Sequence, residues 1–123
     1  MYFTYRRFGN HLGPYFTVSI AGTPLTALID SGADVTLVSK YTADFLGLTR
    51  GPPKGVIGIA GSGETALSAM EILVPNVSSE PMRIPCLIVD QDIPILLGRA
   101  GFFDAFDIVF HQKGGVFAVS PAV

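Results

Sequence analysis

The stretch that decides the fold is LIDSGADVTLVS, residues 28–39. Three apolar residues, Ala27, Leu28 and Ile29, with Leu25 before them, run straight into an aspartate. Ser31, Gly32 and Ala33 then turn the chain, and a second apolar run follows. A carboxylate placed directly after a buried strand costs free energy unless it is paired or hydrogen-bonded. Gly32 lets the backbone turn tightly and lets another group approach. Ser31 can donate a hydrogen bond to nearby backbone. The stretch therefore reads as a device that fixes one acid in place. Taken alone, Asp-Ser-Gly is also ordinary turn composition, so its surroundings must decide.

Outward from it, short apolar runs alternate with Gly- and Pro-rich turns. YFTVSI (15–20) and LTALI (25–29), joined by AGTP, predict a hairpin. VTLV (35–38) predicts a third strand. Ser39 is placed to cap a short helix, KYTADFLG, that Gly47 stops. GVIGIAGSGE (55–64) reads as a glycine-rich hairpin tip. TALSAMEILV (65–74), MRIPCLIV (82–89) and ILL (95–97) are strand-like, and RAGFFDAF (99–106) predicts a second short helix. DIVF (107–110) and VFAV (116–119) flank the turn HQKGG. Many short strands with turn signals between them argue for an all-β barrel or sandwich. One internal echo stands out. TALIDSGADVTLVSKYTADFLGL and IPILLGRAGFF share a plan of apolar strand, glycine turn and short helix, and only the first carries the acid.

The chain has 123 residues, enough for a single domain spanning 1–123, with residues 1–13 as a flexible N-terminal arm. It is 49% hydrophobic and only 15% charged, richer in apolar residues than most small domains. Some of that surface is expected against another chain. The net charge of −2, with no basic cluster beyond Arg6-Arg7, argues against nucleic acid. No apolar run is long enough for a membrane span. MYFTYRRFGN lacks the order of a secretory signal, which favours the cytoplasm or a domain cut from a longer chain. The single cysteine, Cys86, allows no intrachain disulfide and reads as a small buried apolar residue.

Apolar-apolar-Asp-Ser-Gly-Ala-Asp, then a glycine-rich hairpin, then Ile-Leu-Leu-Gly-Arg and a helix, resembles the retropepsins, the retroviral-type aspartic proteases and their cellular and bacterial relatives. The resemblance runs from YFTVSI to GVFAVS. It implies a closed β-barrel with one or two short helices and a flap hairpin. It also implies roles. Asp30 matches the catalytic aspartate. Ser31 matches the hydroxyl residue that ties two active-site loops across a dimer, and Gly32 the glycine whose carbonyl faces substrate, with Ala33 completing the loop. Asp34 matches the acid that pairs with Arg99 and also meets substrate backbone. Val56, Ile57, Gly58, Ile59, Ala60 and Gly61, within 56–63, match the flap. Val35, Ile57 and Leu96 match pocket walls. Two departures stand out. Many viral members have threonine where this chain has Ser31, and this chain continues into a hairpin, 107–119, beyond the Gly-Arg helix, whereas in some viral members the termini interleave into a small sheet that holds the dimer.

The mechanism implied needs two carboxylates. About 3 Å apart they cannot both ionise, so they share one proton, as aspartic proteases generally do. One takes a proton from a water while the other hydrogen-bonds the scissile carbonyl, and no covalent intermediate forms. Asp90 and Asp92, in VDQDIP, lack a following Ser/Thr-Gly and read as loop acids. They also lack the spacing of a calcium loop, and no metal or cofactor is expected. Symmetry supplies the second acid more simply: a two-fold axis would bring Asp30 of two copies together. The expectation is a homodimeric aspartic endopeptidase that takes an extended polypeptide as an added strand. The rival is a catalytically silent domain of the same fold that dimerises or binds peptides, since fold does not fix function. A small-ligand barrel is a third reading. A phosphate loop at GIAGSGE fails for want of the terminal Lys-Ser/Thr.

Overall fold

The computed structural model describes residues 1–51, 53–54 and 65–123. In chain order its elements are β1 (Tyr2–Thr4), β2 (Arg6–Phe8), β3 (His11–Gly13), β4 (Tyr15–Ile20), β5 (Thr23–Ile29) and β6 (Thr36–Ser39). Then come α1 (Lys40–Leu46), β7 (Pro53–Lys54), β8 (Thr65–Leu73), β9 (Met82–Val89), β10 (Ile95–Leu97), α2 (Phe102–Ala105), β11 (Phe106–His111) and β12 (Val116–Pro121). The chain is mostly β. Among the described residues no helix is long and apolar enough to cross a membrane.

The main sheet runs β4-β5-β10-β6-β9-β8-β7, and β8 also pairs with β4. That extra pairing closes six strands into a barrel. The seam is short, Ser19↔Leu73 and Ile20↔Ile72. Alternation along each strand sends every second side chain inward. Val18, Ile20, Ala27, Met70, Ile72, Ile84, Cys86 and Leu97 are all buried there.

The key topological fact is that β5 and β6 do not pair. β10 lies between them, parallel to β5 and antiparallel to β6. The loop joining β5 to β6 must therefore pass over the end of β10, and Asp30 sits on that loop.

The second sheet, β1-β12-β11, is built from the two ends of the chain. Phe117 of β12 joins it to the barrel, stacking on Phe3 at 5.4 Å and meeting Phe16 edge-on at 5.5 Å. Such aromatic pairs add to the burial they already provide. Residues 1–13 form β1 and the hairpin β2–β3. The hairpin turns on Gly9 and Asn10, with Gly9 at φ 62°, the left-handed conformation that tight hairpins demand.

α1 follows the sequence signals. Ser39 caps it, accepting from the Thr42 amide at 3.1 Å, and Gly47 ends it at φ 68°. α2 is shorter than expected because Gly101 sits at φ 84°, outside the right-handed helical region, so the helix starts only at Phe102.

Candidate active site

Asp30 is the first residue past β5. Its amide donates to Leu97 O at 3.0 Å, so β10 fixes where the strand ends. The Ala33 amide returns to Asp30 O at 3.2 Å, closing a turn. Inside that turn the Gly32 amide donates to Asp30 Oδ1 at 2.9 Å. One carboxylate oxygen is therefore held by backbone. A Cβ at position 32 would sit 3.1 Å from that same oxygen, so glycine keeps the acid uncrowded.

β10 supplies the rest of the seat. The Gly98 amide donates to the buried Thr36 hydroxyl at 3.1 Å. Arg99 donates from its amide to Ala33 O at 2.9 Å and from Nη1 to Ser31 O at 2.8 Å. The Ala100 amide reaches Asp34 O at 2.8 Å. The two chain segments touch so closely that a Cβ on Gly98 would lie 2.4 Å from the Val35 carbonyl carbon. No other residue fits there.

Arg99 Nη2 also pairs with Asp34 Oδ1. The Asp34 side chain is 86% exposed and the Arg99 side chain 54%. An exposed pair contributes at most about 1 kcal/mol, so the backbone bonds of residues 97–100 position the loop and the ion pair only trims it.

Ser31, Gly32 and Asp34 are exposed on the loop, while Asp30, Ala33 and Val35 are half-buried. Leu96 is half-buried beside Val35, over a small apolar cluster of Leu37, Leu87 and Val89 that Ile93 also joins. The expected residues Asp30, Ser31, Gly32, Ala33, Asp34, Val35, Leu96 and Arg99 are thus brought together. Val56, Ile57, Gly58, Ile59, Ala60 and Gly61, expected as the flap within 56–63, lie outside the described residues.

The register adds to Leu96, which the sequence named, leucines that sequence reasoning missed. Leu28 pairs with Leu96, Leu96 with Leu37, Leu37 with Leu87, and Leu87 with Leu67. Paired residues share a face, and Leu28 shares its face with Asp30 two positions on. A row of leucines therefore crosses five strands beside the carboxylate. Each leucine was visible in sequence, but only long-range pairing aligns them. Thr36 was also missed. Its signal was a lone hydroxyl within an otherwise apolar strand.

Cys86 lies in the barrel core, and burial raises its thiol to about 11 against a small opposing effect of the Ser68 hydrogen bond. It is no nucleophile at neutral pH. Among the described residues no three His, Cys, Asp or Glu side chains gather where a metal could bind.

Residues 16–100 match the sequence family described as gag-polyprotein putative aspartyl protease. DNA damage-inducible protein 1 of Saccharomyces cerevisiae is 34% identical over 86 residues, covering 68% of this chain and 20% of that protein. Its counterpart in Eremothecium gossypii is 34% identical over 87 residues, 68% of this chain and 18% of that protein. The chain thus spans about a fifth of the length of these curated relatives. Among solved structures, the EIAV protease in complex with the inhibitor HBY-793 superposes with TM-score 0.57 at 26% identity, covering 76% of this chain and 88% of that one. A retropepsin-like aspartic protease from Rickettsia conorii superposes with TM-score 0.71 at 16% identity, over 99% of this chain and 91% of that one. The retroviral protease-like domain of Ddi1 from Leishmania major gives 0.61 at 14% identity, over 90% and 94%. The last two likenesses speak to the fold alone.

Proposed function

The chain belongs to the gag-polyprotein aspartyl protease family, and from that premise we propose that it is an aspartic endopeptidase assembled from two identical chains. The observation that carries this reading is the seat of Asp30. Its carboxylate is held by the Gly32 amide at 2.9 Å on a loop pinned by β10, and each chain offers one such acid on an exposed turn.

In the dimer the two Asp30 carboxylates face each other across the axis and hold one proton and one water between them. The ionised carboxylate takes a proton from the water, which attacks the scissile carbonyl. The protonated carboxyl donates to that carbonyl's oxygen, and a proton then passes to the leaving nitrogen. A backbone-held Oδ1 favours this chemistry because a fixed acid needs no reorganisation as charge develops. The substrate lies extended over the leucine row, which suits apolar side chains near the cleaved bond. The roof over it, assigned to 56–63, rests on the sequence resemblance.

The terminal sheet supports a second copy as partner. Tyr2 is 68% exposed and Val109 52%, and both sit with Ala118 in one cross-strand row on its outer face. Phe110, on the edge strand β11, is 41% exposed. Unpaired apolar edges of this kind favour association. Because β1 pairs with β12 of its own chain, the contact uses the completed sheet and needs no exchange of chain ends.

The test is cleavage of a diverse peptide library from acidic to neutral pH at several protein concentrations, with Asp30→Asn in parallel. Turnover that rises faster than linearly with protein, is stronger at acidic pH, and drops at least about a thousandfold in the variant is expected. A folded dimer that cleaves nothing at any pH overturns the enzyme and leaves a peptide-binding domain.

A further inference from the structure

The β2–β3 hairpin adds a wall to the candidate cleft. Arg6 Nη1 donates to Thr17 Oγ1 at 3.2 Å, and the Phe8 ring stacks on Tyr15 at a centroid distance of 5.3 Å. Tyr15 pairs with Leu28 and Thr17 with Thr26. The hairpin therefore lies on the same face of the barrel wall as Leu28 and Asp30. Thr26 is four residues before Asp30 on that face, about 13 Å along the strand.

Between the hairpin and the turn before β10 runs a groove of about 400 Å³ lined by Phe8, Thr26, Thr42, Asp92, Ile93 and Pro94. Ile93 also packs on the apolar cluster under Leu96, so groove and leucine row are continuous. One wall is an aromatic ring that is 49% exposed. The other carries a carboxylate. Among the described residues the ion pairs are Arg50–Asp44 and Arg99–Asp34, and Asp92 belongs to neither. Lys40 and Asp90 share the adjoining depression with Asp92, and Arg6 is engaged by Thr17.

We propose that this groove is a specificity subsite that takes a lysine or arginine side chain of the bound polypeptide, several residues from the cleaved bond. The inference rests on the peptide-cleft reading of the leucine row. The aliphatic stem lies between Phe8 and Ile93–Pro94, as long cationic side chains commonly lie on apolar surface. The cationic head meets the Phe8 ring and Asp92 together, a cation–π contact and an ion pair. The Thr26 hydroxyl can accept one of its remaining hydrogen bonds, while Thr42 Oγ1 already accepts from the Ser39 hydroxyl at 3.0 Å.

The experiment uses two readouts on the full chain. Positional-scanning libraries of extended peptides, each fixing Lys, Arg, Gln, Glu or Leu at one position, are assayed for cleavage by the wild type. The same peptides are titrated by fluorescence anisotropy against Asp30→Asn protein. The expected result is a preference of about tenfold for Lys or Arg over Gln at one position remote from the bond. Asp92→Asn and Phe8→Leu each cut that Lys/Gln ratio severalfold, judged on the ratio and so independent of any overall loss. Cleavage without a remote basic preference, or a preference for Leu or Glu there, overturns the subsite and leaves the protease standing. Basic-selective binding that Asp92→Asn removes, without cleavage by the wild type, sustains the subsite and sinks the protease. Absence of both sinks both.

Discussion

Two strand ends lie side by side in this barrel, Ile29 running into Asp30-Ser31-Gly32 and Leu97 running into Gly98-Arg99. They pair in register as parallel neighbours, Leu97 opposite Ile29, and each leads through a glycine turn toward a short helix. One end carries the acid. The other carries no titrating group in the turn except an arginine, yet it makes most of the bonds that fix the acid's loop. The difference separates two jobs that are easily run together. The first end supplies the carboxylate, and the second supplies its coordinates.

Substitutions can break that division or sharpen it. The largest effect is expected from Gly98→Ala. The added Cβ meets backbone at 2.4 and 2.5 Å, which a flexible side chain cannot relieve, so chemical denaturation should show a loss of about 3 kcal/mol or more. A loss under about 1 kcal/mol would mean that the two segments can part without harm, and the second end would no longer count as the seat. Thr36→Val comes next. It leaves the Gly98 amide buried without its acceptor, and the same measurement should show a loss of about 2 kcal/mol. The smallest effect on stability belongs to Asp30→Asn, whose side-chain oxygen can still accept from Gly32. Its thermal midpoint should correspond to a change within about 0.5 kcal/mol, while turnover collapses. A variant that instead unfolds as readily as Gly98→Ala would erase the distinction.

Much of this was legible from sequence. Strands 15–20, 82–89 and 95–97 fall where the apolar runs and turn residues put them. The Ser39 cap and the Gly47 stop are where the helix rules place them. The Asp30–Arg99 constellation was readable because its parts are short motifs in fixed order. What was not legible depends on distant partners. β1, β2 and β3 are three residues each, too short to show a period, and they exist because β12 and Tyr15 give them something to rest on. The leucine row exists only once β10 has been threaded between β5 and β6. α2 begins late because Gly101, packed against Pro85 and Ile84, takes φ 84°, a constraint no local propensity reports.

That threading also sets a timetable. Residue 36 and residue 98 are 62 positions apart, and the Arg99–Ser31 contact spans 68. A chain emerging from a ribosome presents the aspartate early and the strand that seats it late. Contacts of such long separation are slow to form because so much chain must be closed first. A nascent or truncated chain that lacks residues 95–100 therefore carries the acid but not its position. Translation itself delays the site until nearly the whole barrel has been made.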